Sequence, residues 1–163
     1  MIIVMKNECS RMADQLHRAF EGNAWHGPAV RELLADVSAT EAAARPIASA
    51  HSIWELMLHI EAWEHVAIAA ISGIAMPTSM PPEQDFPRVT DQSEAAFKAA
   101  KERLFEVNQK LAGAIEKFDA KRLEDTVPGR AYDFYHLFHG MTQHALYHAG
   151  QIALLKKTEQ SPA

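Results

Sequence analysis

A long amphipathic helix is predicted by Asp133-Phe-Tyr-His-Leu-Phe-His-Gly-Met-Thr-Gln-His-Ala-Leu-Tyr-His-Ala-Gly-Gln-Ile-Ala-Leu-Leu155. Its apolar residues recur every three or four positions, as in a helix with one face toward a core. These residues are Leu137, Phe138, Met141, Ala145, Ile152 and Leu155. His144 and His148 fall in the same stripe, four residues apart and therefore neighbours on one helix face. Two imidazoles placed there can bind one metal ion, whereas a buried pair without that role would be costly unless hydrogen-bonded.

Length and composition indicate a single domain over residues 1–163 with a sizeable core, because 48% of the residues are hydrophobic. The formal charge of -5 argues against a nucleic-acid partner. The opening Met1-Ile-Ile-Val-Met5 is too short for a signal-peptide core, and no run approaches the roughly 20 apolar residues of a membrane span. One cysteine, Cys9, fits a reducing compartment, so we expect a cytoplasmic protein without a membrane partner.

Periodicity also predicts a first helix over residues 5–21 and a third helix starting near Asp91. The apolar stripe of the first helix begins at Met5. In the third helix Glu94 follows Asp91 at capping-box spacing, and the pattern continues to about Phe118.

The second predicted helix has the clearest boundaries. Ser52 and Glu55 have capping-box spacing at its start, and it runs to about Ser72, where Gly73 suits a C-cap. Its inward stripe contains Leu56, His59, Ile60, Trp63, Val66, Ala67 and Ala70. The second helix therefore turns His59 toward the interior.

The connections between these helices are of two kinds. Residues 21–51 carry short helical pieces, one with Pro28 in its first turn and one with a capping box formed by Ser38 and Glu41. Residues 73–91 hold four prolines and are predicted to be a linker without helix, long enough for a crossover along the molecule. No segment alternates as a strand would, so the chain is predicted to be an all-α four-helix bundle.

The inward positions of His59, His144 and His148 predict a metal site. Three neutral imidazoles with an open fourth position are the ligand set of a catalytic zinc site, although nickel, iron and manganese stay open. The remaining histidines do not share an inward stripe; they include His26, His51, His65, His136 and His139. The alternative is three hydrogen-bonded core histidines. The run from His144 to His148 lacks the glutamate of the zinc-protease motif His-Glu-x-x-His.

Two phrases carry a family resemblance: Gln143-His-Ala-Leu-Tyr-His-Ala-Gly-Gln-Ile152 and Ser52-Ile-Trp-Glu-Leu-Met-Leu-His-Ile60. Together with the helix order and the long middle linker, they resemble the DinB-like (YfiT-like) superfamily of metalloenzymes over nearly the whole chain. The resemblance implies an up-down-down-up four-helix bundle with a long crossover between the second and third helices. It also implies a divalent metal ion held by His59, His144 and His148. Some relatives in that superfamily are transferases or isomerases that use low-molecular-weight thiols.

Three residues near these ligands are candidates for catalytic roles. Glu55 lies one turn before His59 and could orient the His59 ring or act as a base, although capping is the favoured role. Tyr147 and Gln151 flank the ligands of the last helix and could bind a water or a substrate, or be satisfied elsewhere. An apolar pocket could be lined by Trp25, Trp54 and Trp63, with core packing as the default for Trp63.

Three functions remain open at this stage. The first is a metal-dependent enzyme, a thiol-dependent S-transferase or a hydrolase, in which the metal lowers the pKa of a thiol or water. The second is a non-catalytic bundle that the metal stabilises and that binds a ligand or partner. The third is a simple bundle with incidental histidines. An enzyme predicts an open coordination position reached by a pocket, and its partners would be a small-molecule substrate, a low-molecular-weight thiol and a second copy in a homodimer.

Overall fold

The computed structural model describes residues 7–159, with the side chain of Glu159 excepted. Within these residues the chain forms seven α-helices: α1 Glu8–Glu21, α2 Val30–Leu34, α3 Ala39–Ala43, α4 Ile53–Ile71, α5 Pro82–Asp85, α6 Glu94–Glu116 and α7 Phe134–Glu159. The described residues contain no strand, and the one isolated bridge joins Thr126 to Asp133. The prediction of an all-helical protein is therefore confirmed. None of the helices described combines the length and the apolar character that a bilayer crossing needs.

The four long helices share one core. Helix α4 packs against α6 and α7, and α1 packs against the same two helices. The largest fully buried side chains come from all four long helices and from α2: Phe20, Phe97, Phe134, Phe138, Leu16, Leu34, Ile53, Met57, Ile60, Leu104, Leu111 and Ile115. The predicted apolar stripes thus meet in a common interior, which holds α4 and α7 in contact.

Two predicted capping boxes are confirmed. The Ser52 side chain accepts a hydrogen bond from the Glu55 amide at 3.2 Å, and the Glu55 carboxylate accepts one from the Ser52 amide at 2.9 Å. Ser38 and Glu41 form the same reciprocal pair at the start of α3. Gly73 follows the end of α4 with φ +92°, a conformation that glycine adopts without steric cost.

The predicted capping box at Asp91 and Glu94 is wrong. The N-cap of α6 is Ser93, whose side chain accepts a hydrogen bond from the Ala96 amide at 3.2 Å. Asp91 instead accepts one from the Ser93 amide, in a local turn. The Glu94 carboxylate binds the amide of Ala39, which belongs to a distant helix, so a tertiary contact has replaced the local one.

Three smaller boundaries also differ from the prediction. Helix α1 begins at Glu8 after the N-cap Asn7; Met5, the predicted start of its stripe, lies outside the described residues, as does the rest of the opening apolar run. Pro28 precedes the N-cap of α2 and does not enter its first turn. The linker 73–91 does contain a helix, α5, because a proline is tolerated in the first turn, where its missing N–H is not needed.

A tight turn before α7 is hydrogen-bonded to the segment that follows α4. Val127, Pro128, Gly129 and Arg130 form a type II turn, with Gly129 at φ +79° and the Arg130 amide donating to the Val127 carbonyl at 3.0 Å. The Met76 amide donates to the Pro128 carbonyl at 2.8 Å. A Cβ at Gly129 would lie 2.5 Å from the Met76 carbonyl oxygen. Both the turn and its close approach to Met76 therefore require glycine.

We expect Gly129→Ala to lower the free energy of unfolding by about 2 kcal/mol or more, because it adds a backbone clash to an unfavourable φ. Gly113→Ala is the control, since a Cβ at that helical position meets nothing within 4 Å and alanine favours helix. Urea unfolding of the two variants measures both effects. Equal stability of the Gly129 variant and the unaltered protein would contradict the clash.

Candidate metal centre

The three predicted histidines meet at one point between α4 and α7. His59 comes from α4, and His144 and His148 come from successive turns of α7. The Nε2 atoms of His59 and His144 lie 2.9 Å apart, and those of His144 and His148 lie 3.1 Å apart. His59 and His148 are buried and His144 is half-buried. The ligand atoms of all three lie within 4.8 Å of one another, close enough to share one ion.

Hydrogen bonds on the far side of two rings determine which nitrogen carries the proton. His59 Nδ1 lies 2.7 Å from the Asp85 carbonyl oxygen and 3.0 Å from a carboxylate oxygen of Asp85. His148 Nδ1 lies 2.6 Å from Gln151 Oε1. Because these oxygens accept and do not donate, both rings donate from Nδ1 and keep a lone pair on Nε2. This is the outer hydrogen bonding that metal-binding histidines usually have.

The ring of His144 cannot donate a hydrogen bond to the Nε2 lone pairs of both His59 and His148. A neutral His144 with its proton on Nε2 donates to His59 or to His148, and the other lone pair has no donor. A proton on Nδ1 instead lies buried without a partner among residues 7–159. A cation between the three Nε2 atoms would accept a lone pair from each ring. The donor set therefore fits a metal ion better than it fits three hydrogen-bonded core histidines.

Two of the three distances between the ligand nitrogens are slightly shorter than a metal requires. Zinc–nitrogen bonds of about 2.0–2.1 Å in a tetrahedron separate two ligand nitrogens by about 3.3 Å. The two short distances here are 2.9 and 3.1 Å. Movements of the His144 ring by a few tenths of an ångström would bring these two distances to the tetrahedral value.

Burial keeps the three rings neutral, which is the form that binds a metal. It lowers the pKa of His59 and of His148, although Asp85 and Gln151 oppose part of the effect. The pKa of His144 is lowered to about 3, by burial first and then by the neighbouring His148 and His59. The free rings are therefore unprotonated near pH 7, ready to donate their lone pairs.

The linker between α4 and α6 supplies two residues that the sequence did not reveal. Asp85, the last residue of α5, binds His59 as described and also accepts a hydrogen bond from Trp63 Nε1 at 2.8 Å. The ring of Phe86 stacks on His59 with centroids 4.0 Å apart, and it also stacks on His51 with centroids 3.6 Å apart. No local pattern indicates these roles, because they arise from a long-range contact and partly from a backbone carbonyl.

The three candidate catalytic residues occupy different surroundings. Both carboxylate oxygens of Glu55 lie within 2.6 Å of Arg45 Nη2, and one also accepts from the Ser52 amide. Glu55 thus serves as a cap and an ion-pair partner. Gln151 accepts a hydrogen bond from Nδ1 of His148, on the side of the ring that faces away from the three Nε2 atoms. Tyr147 is exposed, with its ring centroid 5.1 Å from that of His148.

The three tryptophans also lie in different surroundings. Trp63 lies beside the site, bonded to Asp85, whereas Trp54 is buried against Phe97 at 4.9 Å between ring centroids. Trp25 is fully exposed, so the expectation that it lines a pocket with the other two is wrong. The loop that carries Trp25 also contains Gly27, which has φ +129°.

A cavity of about 340 Å³ opens beside His144. Its walls are formed by Trp63, Met76, Arg130, Tyr132, His136, Leu137, Gly140, Met141 and His144. His136, which the sequence placed outside the inward stripes, thus lines this cavity. The cavity gives a small molecule access to one of the three histidines.

Comparison with known proteins identifies the family. The profile of the DinB superfamily matches residues 24–152, a span that includes all three histidines. The chain belongs to the DinB superfamily. No curated protein and no solved structure matches it. Family membership and the three-histidine cluster are together compatible with a metal-binding protein.

In this DinB-superfamily protein we expect Gln151→Leu to weaken zinc binding by about 10-fold, because the His148 ring loses the acceptor that orients it. Competition with a chromophoric chelator measures the affinity. Gln143→Leu is the control, since Gln143 is an exposed residue of the same helix. Equal losses in the two variants would mean that Gln151 does not position the ligand.

Bound metal is expected to stabilise this DinB-superfamily protein near neutral pH and to lose this effect in acid. The loss should occur at a lower pH than it would in a site made of three exposed histidines. A ring whose pKa is lowered stays neutral below the ordinary value of about 6.5, so protons displace the metal only below that pH. The unfolded chain binds more protons than the folded one in this window, so the apoprotein also loses stability as pH falls. Melting of zinc-loaded and chelated protein from about pH 7 to pH 4 measures the difference. A difference already absent at about pH 6 would contradict the burial of the rings.

Proposed function

We propose that this protein is a metal-dependent enzyme in which His59, His144 and His148 hold one divalent ion. The observation that carries the proposal is the convergence of three Nε2 atoms, two of them with lone pairs assigned by Nδ1 hydrogen bonds. When bound, the metal would supply Lewis acidity that lowers the pKa of a thiol or water. The chain's own residues would orient the rings and form the walls around the substrate.

An enzyme is better supported than a non-catalytic, metal-stabilised module. The module predicts a fourth protein ligand or a sealed site. Within residues 7–159 the cluster contains three histidines and no carboxylate or thiol. His144 also lines a cavity, so a small molecule can reach the centre. An accessible three-ligand centre is the arrangement of catalytic zinc sites.

Among reactions, we favour transfer of a thiol sulfur over hydrolysis. Hydrolysis at zinc commonly uses a glutamate base, as in His-Glu-x-x-His. No carboxylate is among the described residues that line the cavity, and Glu55 is held by Arg45 and Ser52. A thiol bound to a metal loses its proton without a separate base. The proposed substrates are a low-molecular-weight thiol and a small electrophile.

Zinc is the proposed metal, because three imidazoles and an open position match its catalytic sites. Nickel and iron also suit imidazole ligands. Manganese fits less well, because it prefers carboxylate, carbonyl and water oxygen. Elemental analysis of the untagged protein distinguishes these ions.

We also propose that residues 1–163 form one up-down-down-up four-helix bundle with the linker as its crossover. A parallel arrangement of α4 and α6 is supported by two contacts in which the residue numbers rise along both helices. Arg103 contacts Glu61 at 3.1 Å, and Asn108 contacts Glu64 at 2.8 Å. Antiparallel α4 and α7 are supported by the bond from Met76, beyond the end of α4, to the turn that precedes α7. A cytoplasmic location and a homodimer stay predictions from the sequence.

The test of the enzymatic proposal is a thiol-transfer assay with 1-chloro-2,4-dinitrobenzene and a panel of small thiols that includes cysteine and glutathione. In this reaction the sulfur forms a bond to the ring carbon, chloride leaves, and the thiol proton goes to the buffer. We expect a protein-dependent rate that a chelator removes and added zinc restores.

The control for this assay is His65→Ala, an exposed histidine on α4, which should retain the rate that His59→Ala loses. Two results would argue against the proposal. One is an absence of acceleration with every thiol in zinc-loaded protein, and the other is an equal rate in the two variants.

A further inference from the structure

We propose that the cavity beside the histidine centre takes a substrate with a carboxylate group, and that Arg130 binds this carboxylate. The proposal deepens the proposed function, because it names the chemical class of the molecule that would reach the metal. It depends on Arg130, which no catalytic or metal-binding role has so far used.

Arg130 is held in place by the backbone that carries it. It is the last residue of the type II turn, and its amide bonds back to Val127 at 3.0 Å. The turn is joined to Met76, which is also part of the cavity wall, and Gly129 allows the close approach. The Tyr132 carbonyl accepts from the Val127 amide at 2.9 Å, which closes the loop on itself. The backbone at Arg130 therefore loses little freedom when the side chain binds a ligand.

The guanidinium of Arg130 has an unused donor. Its Nη1 donates to the Thr78 carbonyl at 3.2 Å. Its Nε is buried and has no acceptor among the described residues. None of the ion pairs found between residues 7 and 159 includes Arg130. A buried donor on an unneutralised cation is unusual in a folded protein, and an anion in the cavity would satisfy it.

A carboxylate fits this cation better than a phosphate does. Arginine binds a carboxylate through two parallel N–H groups, and the Nε donor of Arg130 has no acceptor among the described residues. One guanidinium balances one carboxylate charge, whereas a phosphate carries nearly two. Among the residues between 7 and 159 that line the cavity, Arg130 is the only arginine, and lysine does not occur.

The remaining walls indicate what else the substrate contains. Apolar side chains surround Arg130 and His144 in the same cavity: Trp63, Met76, Leu137 and Met141. They would bury an apolar body, while Arg130 orients its charged end. A carboxylate at Arg130 would thus fix the position of the rest of the molecule relative to the histidine centre.

The test compares 3-phenylpropionate with its neutral amide, 3-phenylpropanamide, which has nearly the same shape. Isothermal titration calorimetry or NMR titration measures the dissociation constant of each, with metal-free and with zinc-loaded protein. We expect the acid to bind at least 10-fold more tightly than the amide in both forms. Equal affinity of the acid and the amide, or failure of both to bind, would overturn the proposal.

Variants then assign the preference to one residue. Arg130→Gln is expected to reduce the ratio of acid to amide affinity to within twofold, and Arg130→Lys to keep part of it. Arg122→Gln is the control, since Arg122 is an exposed arginine paired with Asp125 before the same turn. An unchanged ratio in a folded Arg130→Gln variant would refute the role of Arg130. If Arg130→Gln does not fold, Arg130→Ala replaces it, and an unchanged ratio of acid to amide affinity in that variant would refute the role of Arg130. Loss of the preference for the acid in the folded Arg122→Gln control would also refute it.

The two proposals fail in different ways. If the metal site is wrong, zinc does not bind but the metal-free protein still prefers the acid through Arg130. If the carboxylate proposal is wrong, zinc binds to the three histidines and the acid and amide bind alike. The metal-free measurement therefore tests Arg130 without dependence on the reaction.

Discussion

Replacing His144 with alanine is expected to weaken zinc binding by about 1,000-fold, equivalent to about 4 kcal/mol. His144 is the central ring, with its Nε2 within 3.1 Å of the Nε2 of both His59 and His148. The variant leaves two imidazoles on separate helices. A metal site that binds through three protein ligands cannot keep its affinity with two of them.

The same substitution should not destabilise the metal-free protein much. The ring of His144 has a buried nitrogen without a partner among the described residues, and its removal also relieves the crowding of lone pairs. We therefore expect the metal-free variant and the metal-free unaltered protein to melt at similar temperatures. Added zinc should raise the melting temperature of the unaltered protein but not that of the variant. Chelator competition and thermal melting measure the two effects. Retention of the zinc-induced shift in the variant would show that His144 is not a ligand.

Glu64→Gln is expected to stabilise the protein at high pH by an amount on the order of 4 kcal/mol. Glu64 lies in α4 with 1% of its surface exposed, and Asn108 Nδ2 of α6 donates to its Oε1 at 2.8 Å. Burial raises the pKa of Glu64 to about 8, an effect that the Asn108 hydrogen bond partly opposes. The second carboxylate oxygen and Asn108 Oδ1 are both buried without partners among the described residues.

A protonated Glu64 has an O–H that Asn108 Oδ1 can accept, and a glutamine amide offers an N–H in its place. The sign of the pH effect follows from the raised pKa. Between about pH 4.5 and 8 the folded protein holds a proton that the unfolded chain releases, so stability falls as pH rises. Glutamine does not titrate and escapes this loss.

The advantage of Glu64→Gln should therefore be small near pH 5 and largest near pH 9, where a difference of about 10 °C in melting temperature is expected. Glu102→Gln, at an exposed position of α6, is the control and should show no such trend. An advantage that is independent of pH would mean that Glu64 is already ionised in the folded protein.

The sequence predicted the features that depend on local spacing. His59, His144 and His148 lie on the inward faces of their helices because the 3.6-residue period of a helix controls side-chain direction. The boxes at Ser52 and Ser38 formed because their partners are three residues away.

Local sequence patterns did not predict the features that depend on tertiary contacts. The capping box expected at Asp91 failed because Glu94 binds the amide of Ala39 instead. Asp85 reaches His59 partly through a backbone carbonyl, which any residue type could provide. The proline-rich linker was wrongly predicted to be free of helix because its prolines indicate a break, although α5 begins with Pro82.

Two residues did leave a signal that could have been used. Glu64 lies four residues after Ile60 and three before Ala67, so it falls within the apolar stripe of α4 as a lone carboxylate. Pro128-Gly129 is a typical centre for a type II turn, which would have indicated that Arg130 sits on a rigid loop. In neither case does the sequence give the partner on the other side.

X-ray absorption spectroscopy of the untagged, zinc-loaded protein tests the metal centre most directly. At one zinc ion per chain, we predict three imidazole nitrogens at about 2.0–2.1 Å, with a solvent or buffer atom completing the coordination. The signal of sulfur at about 2.3 Å should be absent, because Cys9, the one cysteine in the chain, lies in the hydrophobic core and outside the histidine cluster. Fewer than three imidazoles around the zinc, or failure to bind one ion per chain, would contradict the three-histidine site.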